Sequence, residues 1–438
     1  MEFTRRMSDF HSSPPASASK PAGAGVTRRT ALGAGAAAAT ALAAPRLLAA
    51  PGLRGARIVV VGAGVFGAWT AERLKEMGNK VMLVDAWSPA HSRASSGGES
   101  RMTRAAYGAD EVYTRMAMDS LIDWKRLSQA SELPLFHETG VLFFFSKADP
   151  YLRQSVDVHR RLRLPTELLD QAAMRKRFPM IDFSGVEAGL YEPGFGALMA
   201  RRSVQELVAQ YVRTGGLYEP GAILPPGEGR AGRLGHVTTR DGRRIEADLF
   251  VFACGPWLPK LFPSLLGSRI FPTRQEIFFF APAPGDRSFE PGRLPGWADF
   301  NGGDIYYGFP DLEGRGFKIA HDAHGERVDP DTMERSPSPR ALADVRAFMA
   351  RRFPSLAAAR LSEARVCQYE NSANGDFLID FHPQLTNVVL VGGGSGHGFK
   401  HGPAVGRYAA GLVTGALAQA EPRFSLATKA ETQDRAVH

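Results

Sequence analysis

The sequence predicts an α/β protein built around a strand–turn–helix–strand unit near its start, and three observations carry that expectation. Ile58–Val59–Val60–Val61 is a short apolar run of the kind a buried parallel strand requires. Gly62–Ala63–Gly64–Val65–Phe66–Gly67 follows it directly. A second β run, Lys80–Val81–Met82–Leu83–Val84–Asp85, then ends in an acid 18 residues past Gly67.

Each part of the unit has a physical task. Gly62 permits the tight turn, Gly64 lets backbone approach a pyrophosphate, and Gly67 allows the next helix to pack closely on the strand. That helix is predicted over 66–77, with Ala68, Ala71, Leu74 and Met77 at apolar spacing and Gly78 as its stop. Its N-terminus, at Val65 and Phe66, offers free N–H groups and a positive dipole end to phosphate. Asp85 stands where an acid grips a ribose hydroxyl. Together these features define a dinucleotide site, without separating FAD from NAD.

Later segments extend the reading. Residues 244–255 form a β run ending in small residues, suited to closing beside a dinucleotide. Residues 387–391 read as another apolar strand, followed by a helix over 405–417. Between them, 270–319 is β-rich and aromatic. The run Gly392–Gly393–Gly394–Ser395–Gly396–His397–Gly398–Phe399–Lys400 places a cation among glycines, where backbone can touch a planar cofactor. There are no internal repeats.

At 438 residues the chain supports two domains, and its 44% hydrophobic and 22% charged content is that of a globular protein. The formal charge of +8 invites a nucleic-acid reading, but residues 1–50 hold six Lys/Arg against two Asp/Glu, which is half the excess. No basic stripe interleaved with aromatics follows, so nucleic acid is not an expected partner. Residues 11–25 are rich in Ser, Pro, Ala and Gly, the composition of a disordered tail. Then come Arg28–Arg29 and a mild apolar stretch through Ala44, too short to span a bilayer. This pattern reads as a Tat export signal, with cleavage candidates at Ala41–Leu42–Ala43 and Leu48–Ala49–Ala50. It implies the Tat machinery as a partner and a periplasmic mature protein, or a cytoplasmic one if the leader does not function. Cys254 and Cys367 are the whole thiol inventory, and a chain of this size needs no disulfide staple.

Residues 85–108 read DAWSPAHSRASSGGESRMTRAAYG. With the Gly-rich turn before it, this stretch resembles the monomeric sarcosine oxidase and N-methyltryptophan oxidase family. The resemblance returns at Ile305–Tyr306–Tyr307–Gly308–Phe309–Pro310, at Gly316–Phe317–Lys318–Ile319, at Val328–Asp329–Pro330–Asp331, at Cys367–Gln368–Tyr369, at Ile379–Asp380–Phe381–His382–Pro383 and at Ser395–Gly396–His397–Gly398–Phe399–Lys400, spanning roughly 56–425. It implies a Rossmann-like FAD-binding domain (56–138, 196–268 and 366–425) interleaved with an α+β substrate domain (139–195 and 269–365) on a mixed or antiparallel sheet.

The resemblance also implies roles. Cys367 carries a covalent thioether to the flavin, and Arg101 lies near the ring. Lys400 sits beside the part of the flavin that gains negative charge, with Gly396, Gly398 and Phe399 around it, and a fixed cation stabilises that charge. Lys318 promotes the reaction with oxygen by stabilising superoxide. Arg104, helped by Lys400, pairs with a substrate carboxylate through its planar fork. Tyr306 and Tyr307 point to opposite faces of their strand, and the family pattern favours Tyr307 as a pocket wall.

His397 and His401 stand four apart and raise the thought of zinc. They lack the Glu of HExxH, and the glycines oppose a helix, so no metal is expected. Two departures bear on substrate. Ser96 and Gly97 fill positions where sarcosine oxidases place histidines, and Asp322, beside His321, replaces a pocket histidine. An anionic Asp322 suits a cationic amine or a longer polar substrate. The expected reaction is FAD-dependent oxidation of a secondary or N-methylated amino acid to an imine, with oxygen giving hydrogen peroxide. A dehydrogenase using a periplasmic acceptor and a non-catalytic flavin-binding protein are its rivals.

Overall fold

The computed structural model describes residues 54–301, 305–323 and 325–432. The tail and export signal expected within 1–50 lie outside the described residues.

Two large sheets organise the chain. The first has six strands in the order Leu378–Phe381, Val388–Gly392, Leu249–Phe252, Arg57–Val61, Lys80–Asp85 and Leu217–Pro220. All pairings are parallel except that of Leu378–Phe381 with Val388–Gly392. Because both faces are covered, its central strands are apolar along their length rather than alternating. The helices Val65–Glu76, Glu111–Gln129, Ala200–Arg213 and Gly402–Thr414 contribute to one core with it. Trp69 and Trp124 meet edge-to-face at 5.3 Å there. At Gly406 an added Cβ would stand 2.7 Å from the Trp69 backbone, so two helices approach as closely as glycine allows.

The second sheet has eight strands in the order Arg360–Ser372, Ile270–Ala281, Phe317–Asp322, Ile305–Phe309, Gly296–Asp299, Val141–Phe145, Ala188–Glu192 and Glu167–Asp170. It is mixed, with one parallel pairing between Gly296–Asp299 and Val141–Phe145. Helix Pro339–Arg352 closes one face through a core of Trp297, Phe317, Phe348 and Phe353. The opposite face looks toward the functional residues.

The first helix and its flanking strands fall where the sequence places them, Val65–Glu76 being one residue early. The helix expected over 405–417 is Gly402–Thr414, because Pro403 suits its first turn and Gly415, at φ +71°, stops it. The 244–255 run is two strands, not one. Arg244–Glu246 pairs antiparallel with His236–Thr238, while Leu249–Phe252 joins the six-stranded sheet. The break falls at Asp248, which bonds Arg57 twice, its N–H donating to the Arg57 carbonyl at 2.8 Å and its carboxylate accepting the Arg57 N–H at 2.8 Å. The strand Arg360–Ser372 runs through the expected domain boundary, so Cys367 stands on the eight-stranded sheet. No helix among the described residues is long and apolar enough to cross a membrane.

Candidate cofactor and active site

A cavity of about 770 Å³ opens at the C-terminal ends of the parallel strands, the usual place for a ligand on such a sheet. Its walls include Gly62, Gly64, Val65, Phe66, Asp85 and Arg101, with Gly396, Gly398 and Phe399 from the later Gly-rich run. The first turn is as tight as the sequence requires. Gly62 has φ +104°, and a Cβ there would lie 2.4 Å from the Ala253 carbonyl. A Cβ on Gly67 would lie 1.8 Å from the Gly62 carbonyl. Asp85 ends its strand on the cavity wall, accepting from Ala63 N–H at 2.7 Å and Trp87 N–H at 3.0 Å. Those bonds fix its carboxylate at the turn.

Arg101, Cys367 and Lys318 form one buried corner. The Ser100–Thr103 strand carries Arg101, whose Nη2 donates to Cys367 Sγ at 3.2 Å and to the Ser95 carbonyl at 2.8 Å. Lys318 is 1% exposed on Phe317–Asp322, and its Nζ donates to Ser100 O at 2.9 Å and Ser100 Oγ at 3.1 Å. Burial, with the Arg101 charge beside it, pushes the Lys318 amine well below the usual lysine range. Cys254 and Cys367 are both free thiols.

Arg104 and Lys400 meet over one aromatic ring. Their charged groups lie 4.2 and 5.0 Å from the centroid of Tyr107. Arg104 donates to the Ala106 carbonyl and Lys400 Nζ to the His397 carbonyl at 3.0 Å. Trp124 Nε1 holds the Lys400 carbonyl at 2.8 Å. Asp322 closes the far side, near enough for its charge to act on Arg104, Tyr307 and Tyr369. Tyr307 is hydrogen-bonded to Tyr369, and burial pushes its hydroxyl up to about 12. Tyr306 points the other way, stacking on Phe348 at 3.9 Å and donating to Asp344 at 2.8 Å. His321 shares that outer face, so it does not accompany Asp322 inward.

Sequence reasoning missed several of these residues. Tyr107 unites the two cations, and its hydroxyl also meets His397 Nδ1 at 3.1 Å and His401 Nε2 at 2.7 Å. The two histidines thus share a phenol, and no cluster able to hold a metal occurs among the described residues. Glu192 is fully buried and accepts the Ala105 N–H with both oxygens, at 3.2 and 3.0 Å. Ser96 Oγ accepts from Val65 N–H at 3.0 Å, at the start of the first helix. Gly97 faces the chain rather than a pocket, since a Cβ there would lie 2.1 Å from the His91 carbonyl. Only the DAWSP-to-AAYG stretch as a whole signalled that Tyr107 and Ser96 lay near the site.

A glycine-lined dinucleotide cavity, joined to a buried corner of Cys, Lys and Arg, defines a nucleotide-dependent oxidoreductase of the two-sheet kind. The chain belongs to the FAD dependent oxidoreductase family, whose model matches residues 57–412. It is 32% identical over 359 residues to monomeric sarcosine oxidase from Bacillus sp., covering 80% of this chain and 90% of that one. It is 29% identical over 365 residues to N-methyl-L-tryptophan oxidase from Citrobacter koseri, covering 82% and 94%. Among solved structures, L-proline dehydrogenase from P. horikoshii superposes with a TM-score of 0.73 at 20% identity, covering 85% and 97%. The site fits FAD. Side chains at Gly62 and Gly67 would fill the turn, and the cavity is within the size range of ligand pockets.

Proposed function

We propose that the chain oxidises a secondary or N-methylated amino acid. The observation that carries this is the pairing of Arg104 and Lys400 over Tyr107, with Phe399, next to Lys400, on the wall of the cofactor cavity. Two cations gathered in a water-poor site bind a substrate carboxylate, with the Arg fork fixing its plane. The same cations disfavour the ammonium form of the amine, so the reactive neutral amine is populated. Asp322 opposes them and accepts a donor from the amine or from a longer polar substituent. Tyr307 walls the pocket from its strand. FAD held by the Gly62–Gly67 turn and by Gly396, Gly398 and Phe399 would supply the two-electron acceptor for oxidation of the amine to an imine, which water hydrolyses. Cys367 would be the residue that tethers the flavin through a thioether, with Arg101 holding its sulfur in place.

Lys318 serves the oxygen step in this reading. Its low affinity for a proton in the resting site is reversed by an anion, because negative charge nearby favours the ammonium form. Superoxide forming beside it is thereby stabilised, and hydrogen peroxide is the product.

The test is anaerobic mixing of the purified protein with sarcosine and a panel of N-methyl amino acids, followed by admission of air. Bleaching of the flavin band and then one peroxide per turnover supports the oxidase. Bleaching without peroxide points to a dehydrogenase, and a flavin untouched by every amine removes the amine reading. Export is part of the same proposal: replacing Arg28 and Arg29 by Lys should retain the protein in the cytoplasm, as read by cell fractionation.

A further inference from the structure

Glu370 stands three residues beyond Cys367 and was not among the residues the sequence singled out. It lies on the wall of the cofactor cavity with Cys254, Gly255 and Gly394, and is 6% exposed. Its backbone is fixed, since its carbonyl accepts the Ser395 N–H at 2.9 Å. Its side-chain Oε1 has no hydrogen-bond partner among the described residues. Space for it is built in, because a Cβ on Gly392 would stand 2.3 Å from that oxygen. Around Glu370 stand the N–H groups of Gly393 and Gly394, the Cys254 thiol and, beyond that thiol, Asp85, with no cation among the described residues to pair it.

A buried carboxyl with no cation is costly as an anion and stays neutral instead. Burial pushes Glu370 up to about 8, the two glycine N–H groups working against the rise. At neutral pH it therefore carries a proton and is a donor as well as an acceptor. FAD is rich in acceptor oxygens on its diphosphate, ribityl chain and ring. We propose that Glu370 is a cofactor-binding residue that presents a protonated carboxyl to an acceptor oxygen of FAD. The inference rests on FAD binding and is independent of which substrate is oxidised.

The experiment uses the full chain carrying Cys367→Ala, so that FAD binds reversibly, and reads Kd by titrating the apoprotein with FAD and following flavin fluorescence. Glu370→Leu should weaken FAD at pH 7 by about tenfold or more, the size of one lost charged or buried hydrogen bond. Glu370→Gln keeps an N–H donor and should remain close to its parent. The parent should lose affinity between pH 7 and 9, as an ionised carboxylate gives up its donor and repels the diphosphate. Glu370→Gln should be flat over that range. The Asp85 carboxyl, raised from the aspartate range by burial, is common to both proteins; the Cys254 thiol is held high chiefly by burial and only in smaller part by the Asp85 and Glu370 charges, and a Cys254→Ala background removes it from both. Unchanged affinity in Glu370→Leu, or an identical pH profile in Glu370→Gln, overturns the proposal. If Glu370→Leu fails to fold, the Gln comparison decides alone.

Discussion

Arg101 Nη2 donates to Cys367 Sγ at 3.2 Å, joining positions 266 residues apart. The same guanidinium is held by the Ser95 and Ser100 carbonyls, so its aim at the sulfur is fixed by backbone. That donor holds the sulfur in one place. On a denaturing gel the wild type should show a fluorescent flavin band and Cys367→Ala should show none, while still binding FAD. Arg101→Met should take up FAD and form the link more slowly. A wild type that releases all its FAD on denaturation would remove the tether and leave the fold intact.

Lys318 donates to both oxygens of Ser100, and Phe309 lies 4.9 Å from its amine. It stands beside Ser100 and Arg101, and its amine makes no hydrogen bond to Arg104 or Lys400 among the described residues. Lys318→Met, of similar length and no charge, should therefore leave anaerobic flavin reduction within a few-fold. Its second-order rate with oxygen should fall by about 10²-fold or more, the scale of losing one preorganised charge. Stopped-flow traces of the two half-reactions check this directly, and an unchanged oxygen rate would refute the role given to Lys318.

Arg104 and Lys400 share the Tyr107 ring, so the two should act as a unit on a carboxylate. Arg104→Gln removes one partner of a desolvated pair, a change worth about 2–5 kcal/mol. It should raise KM or the Kd of a carboxylate inhibitor by roughly 30-fold or more. Amines lacking a carboxylate should lose little. Equal losses for both substrate types would place Arg104 outside substrate binding.

The fold was legible where one segment sufficed. Ile58–Val61, the glycine turn and the Lys80–Asp85 strand could be placed because their function fixes spacing within a few residues. The break at Asp248 was not legible, because it depends on a bond to Arg57 far away in sequence. The opposite directions of Tyr306 and Tyr307 follow from strand pleat, but which one faces inward depends on helix Pro339–Arg352 covering the other side. Tyr107, Glu192 and Glu370 escaped notice for a related reason. A lone Tyr or Glu carries no pattern, and its meaning comes from burial and from partners brought in by other strands. The Gly97 departure looked like a change in the pocket, whereas it answers to the His91 carbonyl.

Glu192 gives the clearest dependence of stability on pH. It is fully buried behind Arg104, and burial lifts its carboxyl from 4.5 to about 7, with the Ala105 N–H and the Arg104 charge opposing the rise. His159 Nε2, 3.6 Å away, is held neutral by its own burial. A folded-state pKa above the unfolded one means the folded protein keeps its proton longer. The associated stability is complete below the unfolded value and is lost as pH rises toward 7. The loss amounts to at most about 3 kcal/mol for a shift of this size. Glu192→Gln retains an oxygen to accept from Ala105 N–H but cannot ionise. Urea unfolding at pH 5 and pH 8 should therefore show a smaller drop in stability for the variant than for the wild type, with the two proteins diverging as pH rises from the ordinary glutamate value toward about 7 and running parallel above it. The comparison isolates Glu192, since every other titrating group, Glu370 included, is common to both proteins. Parallel stability curves across that range would show that Glu192 is ionised in the folded protein. Its two contacts to Ala105 would then be those of a permanent anion, stabilised by Arg104 and Lys400 in place of a substrate carboxylate.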